Sequence, residues 1–240
     1  MVALFALLSA SSAKGDLLRG DVVLNTTATI WNEGSSQGVY VTPMIVDNLS
    51  TGQTIMAFCG DFTVSTSPAF NSSTGEVYGA HGLLSPTLTL YSDLQKQLVN
   101  DLFSYAYASA FDLSGNVIDA VNAQAIQLVV WEILMETGTA WSITSGSFYA
   151  TNLASGVAAT ADSWLDVLSG GVSTWDSLGL TPVLDYDMTV YVADGGSHAS
   201  QTLISITGPT PVVPEPATML IFGIGAAAIP YLRRKKQTSV

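Results

Sequence analysis

The hydrophobic pattern changes period twice along the chain, and each change marks a change of element. Residues 22–31 and 38–47 are rich in Val, Thr and Ile, and residues 53–58 read likewise. Such residues fit a pleated, half-buried surface, so all three stretches are predicted strands. The run DNLSTG, residues 47–52, supplies the turn between the last two. Residues 60–90 are dominated by Ser, Thr, Gly and Pro and are predicted as an irregular excursion.

From Ser92 the spacing becomes helical. Leu94, Leu98 and Leu102, or alternatively Val99 and Phe103, recur turn by turn up to Tyr105 and Ala106, with Ser92 or Asp93 as the cap. The run from Ile118 is the clearest helix, opened by Asp119 and stopped by Gly138. Ile118, Val121, Ala125, Leu128 or Val129, and Glu132 trace its successive turns. It is apolar nearly all round, so burial on most sides is expected. A third helix is predicted over Ala154–Leu168, and alternation returns in LDYDMTVYVADGG and SQTLISIT as a hairpin. Strands, then helices, then strands predict an α+β domain over residues 21–207. Its antiparallel or barrel-like sheet carries an inserted helical segment and closes with the C-terminal strands.

Charge narrows the function. Only 11% of residues are charged, against about 25% in an ordinary soluble domain. Between Asp21 and Thr210 seventeen acidic residues face one basic residue, Lys96. Such a body has no cations to displace condensed counterions, which excludes nucleic acid as a partner. The single cysteine, Cys59, cannot form an internal disulfide. In an exported chain its thiol is expected to be buried, paired between chains or chemically occupied.

The two ends argue for export. An apolar run from Val2 to Leu8 precedes Ser11-Ser12-Ala13, the pattern of a signal peptide cleaved before Lys14 but lacking its positive n-region. Residues 1–13 therefore read as a truncated signal peptide. Residues 208–216 are a Pro-rich linker. The next 16 residues, Ala217 to Leu232, carry no charge, and Arg233, Arg234, Lys235 and Lys236 follow at once. As a helix the apolar run spans about 24 Å. Residues 217–236 are thus expected to form one C-terminal transmembrane helix. The basic cluster holds its end in the cytoplasm, so the domain lies outside the inner membrane.

The order Val213-Pro214-Glu215-Pro216, apolar helix, basic cluster closely resembles the PEP-CTERM sorting signal. The resemblance implies a transient inner-membrane anchor recognised and removed by an exosortase, a membrane protease-transpeptidase. It also implies delivery to the cell surface or to an extracellular exopolysaccharide or biofilm matrix.

Two pieces of the body resemble the signature motifs of thioester domains in bacterial surface adhesins. One is MAFCGDF around Cys59; the other is AIQLVVWEIL, with Gln127 four residues before Trp131. The resemblance implies an internal thioester between the Cys59 sulfur and the Gln127 side-chain carbonyl. Phe58, Asp61 and Trp131 would shield and support it, together with Phe62 and Val130. Two positions depart from the pattern: Ile126 stands where the family has Thr, and Gly60 where it has a hydrophobic residue. A thioester is a stored electrophile that survives only where water is excluded. Its target would be a surface amine or hydroxyl, attached once and without turnover, so no enzyme is expected.

Two rivals remain at this level. One is a structural matrix component with a plainly buried Cys59. The other is a matrix-acting hydrolase pairing Cys59 with His81 or His198. DLSGN, residues 112–116, and DYD, residues 185–187, read as turns rather than calcium loops. No metal or cofactor is assigned.

Overall fold

A computed structural model describes residues 16–22, 27–61, 75–112, 115–136, 141–171, 173–182, 186–193 and 200–207. The expected signal peptide, linker, sorting motif, membrane helix and basic cluster lie outside the described residues, as do Phe62 and His198. Among the described residues no helix is long and apolar enough to cross a membrane.

Six strands close an antiparallel barrel: β1 (Asp16–Val22), β4 (Met44–Asn48), β5 (Gln53–Cys59), β9 (Leu203–Thr207), β8 (Asp187–Ala193) and β6 (Glu76–Gly82), in that order. The C-terminal hairpin β8–β9 closes it, as expected, with Thr189 opposite Ser205 and Val190 opposite Ile204. Closure removes the exposed edges that would otherwise recruit other chains. A second sheet of three strands, ordered β3-β2-β7, stands apart: β2 (Thr27–Asn32), β3 (Ser35–Tyr40) and β7 (Phe148–Thr151).

The structure corrects three strand readings. Residues 22–31 are not one strand: Val22 only ends β1, which lies upstream, and β2 begins at Thr27 in a different sheet. Val and Thr enrichment marks a strand but not its sheet. Residues 38–47 split likewise into β3 and β4, with the break before Met44. Pro43 supplies no N–H to a ladder, and Val41 and Thr42 are buried where the chain crosses over. The stretch 60–90 is not irregular throughout, because β6 pairs with both β1 and β8. Its sequence, EVYGAHG, holds little strand propensity. Two flanking partners and the complete burial of Tyr78 hold it in place. The turn into β5 forms as read: Asn48 accepts from the Ser50 and Thr51 amides, and Gly52 sits at φ 73°.

The helical insert runs between β6 and β8. Helix α1 (Asp93–Ala110) starts on a full capping box, Ser92 with Gln95, which stabilises a helix by about 1 kcal/mol. Of its two candidate faces, the one through Val99 and Phe103 is buried, while Leu94 is 63% exposed. Lys96 is buried too, its ammonium donating to the Ser85 and Leu88 carbonyls and pairing with Asp93. Helix α2 (Ala120–Met135) is capped by Asp119, which accepts from the Val121 and Asn122 amides. Every residue from Ala123 to Ile133 is buried, as its apolar circumference requires. It packs between α1 and α3 (Val157–Leu168) and touches both β5 and β7.

Candidate functional site

Strand β5 ends at Cys59, opposite Leu203 of β9, and the Gly60 amide donates to the Thr202 carbonyl at 2.7 Å. The strand end is therefore fixed by its ladder. Alternation sends Phe58 to the other side of the strand from Cys59. There Phe58 packs against Phe103 and Phe111, with ring centroids 5.0 and 5.7 Å away. Phe58 thus supports the site by locking β5 to α1.

Helix α2 presents Gln127, which has no exposed surface, to this strand end. Its Oε1 accepts from the Cys59 backbone N–H at 3.0 Å, and its Nε2 donates to the Cys59 carbonyl at 2.8 Å. One side-chain amide thus satisfies both backbone groups of a residue 68 positions away. Neither group could be buried otherwise without a penalty of about 1–3 kcal/mol.

The thiol lies in the same dry enclosure. Its Sγ donates to the Asp61 carbonyl at 3.0 Å. Burial pushes the thiol up to about 12, and hydrogen bonding by the Asp61 backbone and by the Trp131 indole offsets only part of that rise. Cys59 therefore stays protonated at neutral pH, as an inert buried thiol does. Trp131, one helical turn beyond Gln127 and 1% exposed, places its indole against the sulfur. Asp61 contributes its backbone and is partly exposed.

Sequence reasoning missed two walls of the enclosure. The Tyr78 hydroxyl of β6 lies beside Ser200, and the Tyr91 hydroxyl beside Thr202. Burial raises both phenols well above their ordinary value, and both lie near the thiol. Tyr91 also explains one departure from the adhesin motif. A Cβ at Gly60 would sit 2.6 Å from the Tyr91 hydroxyl oxygen and 3.4 Å from the Thr202 side chain. The larger residue of the family pattern has no room here. The other departure, Ile126, is fully buried in the apolar wall of α2.

The rival candidates gain little support. His81 lies in β6, opposite Val190 of β8. Asp112 accepts from the Asn116 backbone amide at 2.8 Å and closes a turn, as read. Among the described residues no group of three His, Cys, Asp or Glu is placed to hold a metal.

Comparison with known proteins divides by region. Residues 212–236 match the PEP-CTERM protein-sorting motif. That motif implies an exported, membrane-anchored precursor, processed by an exosortase and sorted to the cell surface. No curated protein matches the sequence. Among solved structures the chain is similar to the N-terminal domain of the Streptococcus pyogenes pilus tip adhesin Cpa. The identity is 12% and the TM-score 0.46, over 78% of this chain and 96% of that one. It is also similar to an N-terminal thioester domain of a surface protein from Clostridium perfringens. There the identity is 10% and the TM-score 0.40, over 75% of this chain and 98% of that one.

Proposed function

We propose that this protein is a surface-sorted adhesin that attaches covalently, once per molecule, through a thioester between Cys59 and Gln127. The observation that carries the reading is the clamp of the Gln127 amide on the Cys59 backbone. It holds the carbonyl to be attacked beside the only thiol in the chain.

The chemistry follows from the donors present. The Cys59 N–H polarises the Gln127 carbonyl and faces the oxygen on which charge develops when the carbonyl is attacked. The Cys59 sulfur bonds to Gln127 Cδ, the Cδ–Nε2 bond breaks, and the thiol proton leaves on Nε2 as ammonia. The thiol proton must pass to the departing nitrogen as the sulfur attacks, so the step balances without an added acid. Trp131, Tyr78 and Tyr91 then keep water from the bond. An amine or hydroxyl of a surface target attacks the same carbonyl. Cys59 departs, taking the attacker's proton, and an amide or ester remains. A new thioester would need a fresh amide at position 127, so the protein acts without turnover.

Intact mass of the purified full chain tests this. A mass one ammonia below that of the processed polypeptide is expected, and addition of methylamine should restore it to that mass plus one methylamine, less ammonia. Gln127→Ala should carry no deficit and a thiol that alkylating reagents reach on unfolding. The same clamp with its amide intact would serve a purely structural matrix component. A full-mass wild-type chain, with a thiol freely alkylated on unfolding, establishes that reading instead.

A further inference from the structure

The small sheet has one buried face and one open face, and the open face has no role in the clamp. Ala28, Ile30, Phe148 and Ala150 point inward and are buried. Alternation sends their neighbours outward in a regular grid. Tyr40 stands opposite Thr27, and Gly38 opposite Thr29, which is flanked by Thr151 on the other side. Trp31 lies between Ser36 and Tyr149. The Trp31 and Tyr149 rings are parallel, with interplanar angle 4° and centroids 5.7 Å apart, and both remain partly exposed. Tyr40 is 49% exposed.

Two features of this face shape a groove. Glycine inside a strand costs stability, and it recurs where a ligand comes close. A Cβ at Gly38 would meet nothing within 4 Å, and no positive φ requires glycine there. The missing side chain opens a groove of about 410 Å³ whose lining includes Thr27, Thr29, Tyr40 and Asn152. Asn152 holds a left-handed φ of 59°, a conformation Asn adopts more readily than most residues. From that position its Nδ2 donates to Thr29 Oγ1 at 3.2 Å, fixing an amide and a hydroxyl at the groove wall.

We propose that this face binds a strand of uncharged polysaccharide. A sugar ring offers apolar C–H faces and hydroxyls together. The grid answers with parallel aromatic rings and with Thr, Ser and Asn groups able to donate and accept. Charge selects among polysaccharides. None of the outward side chains is ionisable at neutral pH, and the surrounding body, residues 16–207, carries eighteen acidic residues against two basic. A polyanionic glycan would be repelled, whereas a neutral one meets no penalty. The inference rests on the exported location and is independent of the thioester.

Electrophoresis of the full chain, in a polyoxyethylene detergent, through native gels cast with mixed-linkage β-glucan, mannan, dextran or alginate tests it. Retardation by at least one of the three neutral polymers is expected, and none by alginate. Trp31→Ala and Gly38→Val should each weaken retardation at least ten-fold, with the melting temperature of Gly38→Val equal to wild type or higher. Cys59→Ala should bind as wild type does, so failure of the thioester leaves this result intact. Migration unaffected by every neutral polymer overturns the proposal, and so does retardation by alginate alone. Binding undiminished in Gly38→Val also overturns it. In that case the polymer binds somewhere other than the groove at Gly38.

Discussion

Gly60 and Gly38 each interrupt a run of strand-forming residues, for opposite physical reasons. At Gly60, just past β5, a Cβ would meet the Tyr91 hydroxyl oxygen at 2.6 Å. At Gly38, within β3, it would meet nothing within 4 Å. The first glycine makes room in a buried interior. The second leaves room on an exposed surface. The two regions they mark differ in the same sense throughout. Around Cys59 a peptide unit is matched by Gln127 and the thiol is pushed up to about 12. On the small sheet the aromatic rings and hydroxyls face solvent. Helix α2 touches both regions, through β5 and through β7. One apolar helix therefore backs both the proposed bond-forming site and the proposed contact face.

Two tryptophans provide the harshest test of this contrast. Trp131 is 1% exposed and fills the wall of the dry enclosure. Trp131→Ala is expected to lower unfolding free energy by about 3–5 kcal/mol, measured by urea denaturation, and to abolish the ammonia deficit in the intact mass. Trp31 lies on the open face and is only half-buried. Trp31→Ala should cost about 1 kcal/mol and leave the mass deficit unchanged. Similar losses in both variants would erase the distinction between the two regions.

The joint between them is pH-sensitive. The chain entering β7 is held by carboxylates. Glu132 accepts from the Ser142 amide, Asp162 from the Ile143 amide, and Glu136 from the amides of Ser147 and Phe148. Burial raises Glu132 from 4.5 to about 8, and Glu136 and Asp162 push it in the same direction. A carboxyl that holds its proton more tightly folded than unfolded favours the folded state at low pH. Its contribution is complete below about pH 4.5 and disappears as pH rises to about 8. Stability attributable to Glu132 should fall by on the order of 3 kcal/mol across that window. Thermal melts between pH 5 and 8.5 read it, and Glu132→Gln should flatten the slope. An unchanged slope in that variant would remove Glu132 from the joint.

The same contrast explains what the sequence disclosed. Helix α2 was legible because Asp119 caps it and its apolar run has no polar face; α1 was legible through Ser92 and Gln95. The C-terminal hairpin followed from alternation alone. All of these signals are local. The Cys59–Gln127 pair came from motif resemblance, since nothing local ties residues 68 positions apart. Tyr78 and Tyr91 were illegible as walls because their partners, Ser200 and Thr202, reach them only when the barrel closes. The small sheet was hidden for a related reason. Strand β7 is four residues long and pairs with β2 more than a hundred positions earlier. Composition carries no record of such a pairing.

The finest comparison returns to the two glycines, by giving each a side chain. Gly60→Ala forces the Tyr91 hydroxyl away from Thr202, and overpacking of this kind costs about 1–3 kcal/mol. It should also speed alkylation of any unbonded thiol by loosening the enclosure. Gly38→Val removes backbone freedom from the unfolded chain and adds a residue that favours strands, with no atom in its way. Its expected effect on unfolding is a gain of about 0.5–1 kcal/mol. The opposite signs are the test. If both substitutions destabilise, Gly38 is required by the fold and its groove needs no ligand to explain it. If only Gly60→Ala destabilises, the opening at Gly38 is one that folding alone would have closed.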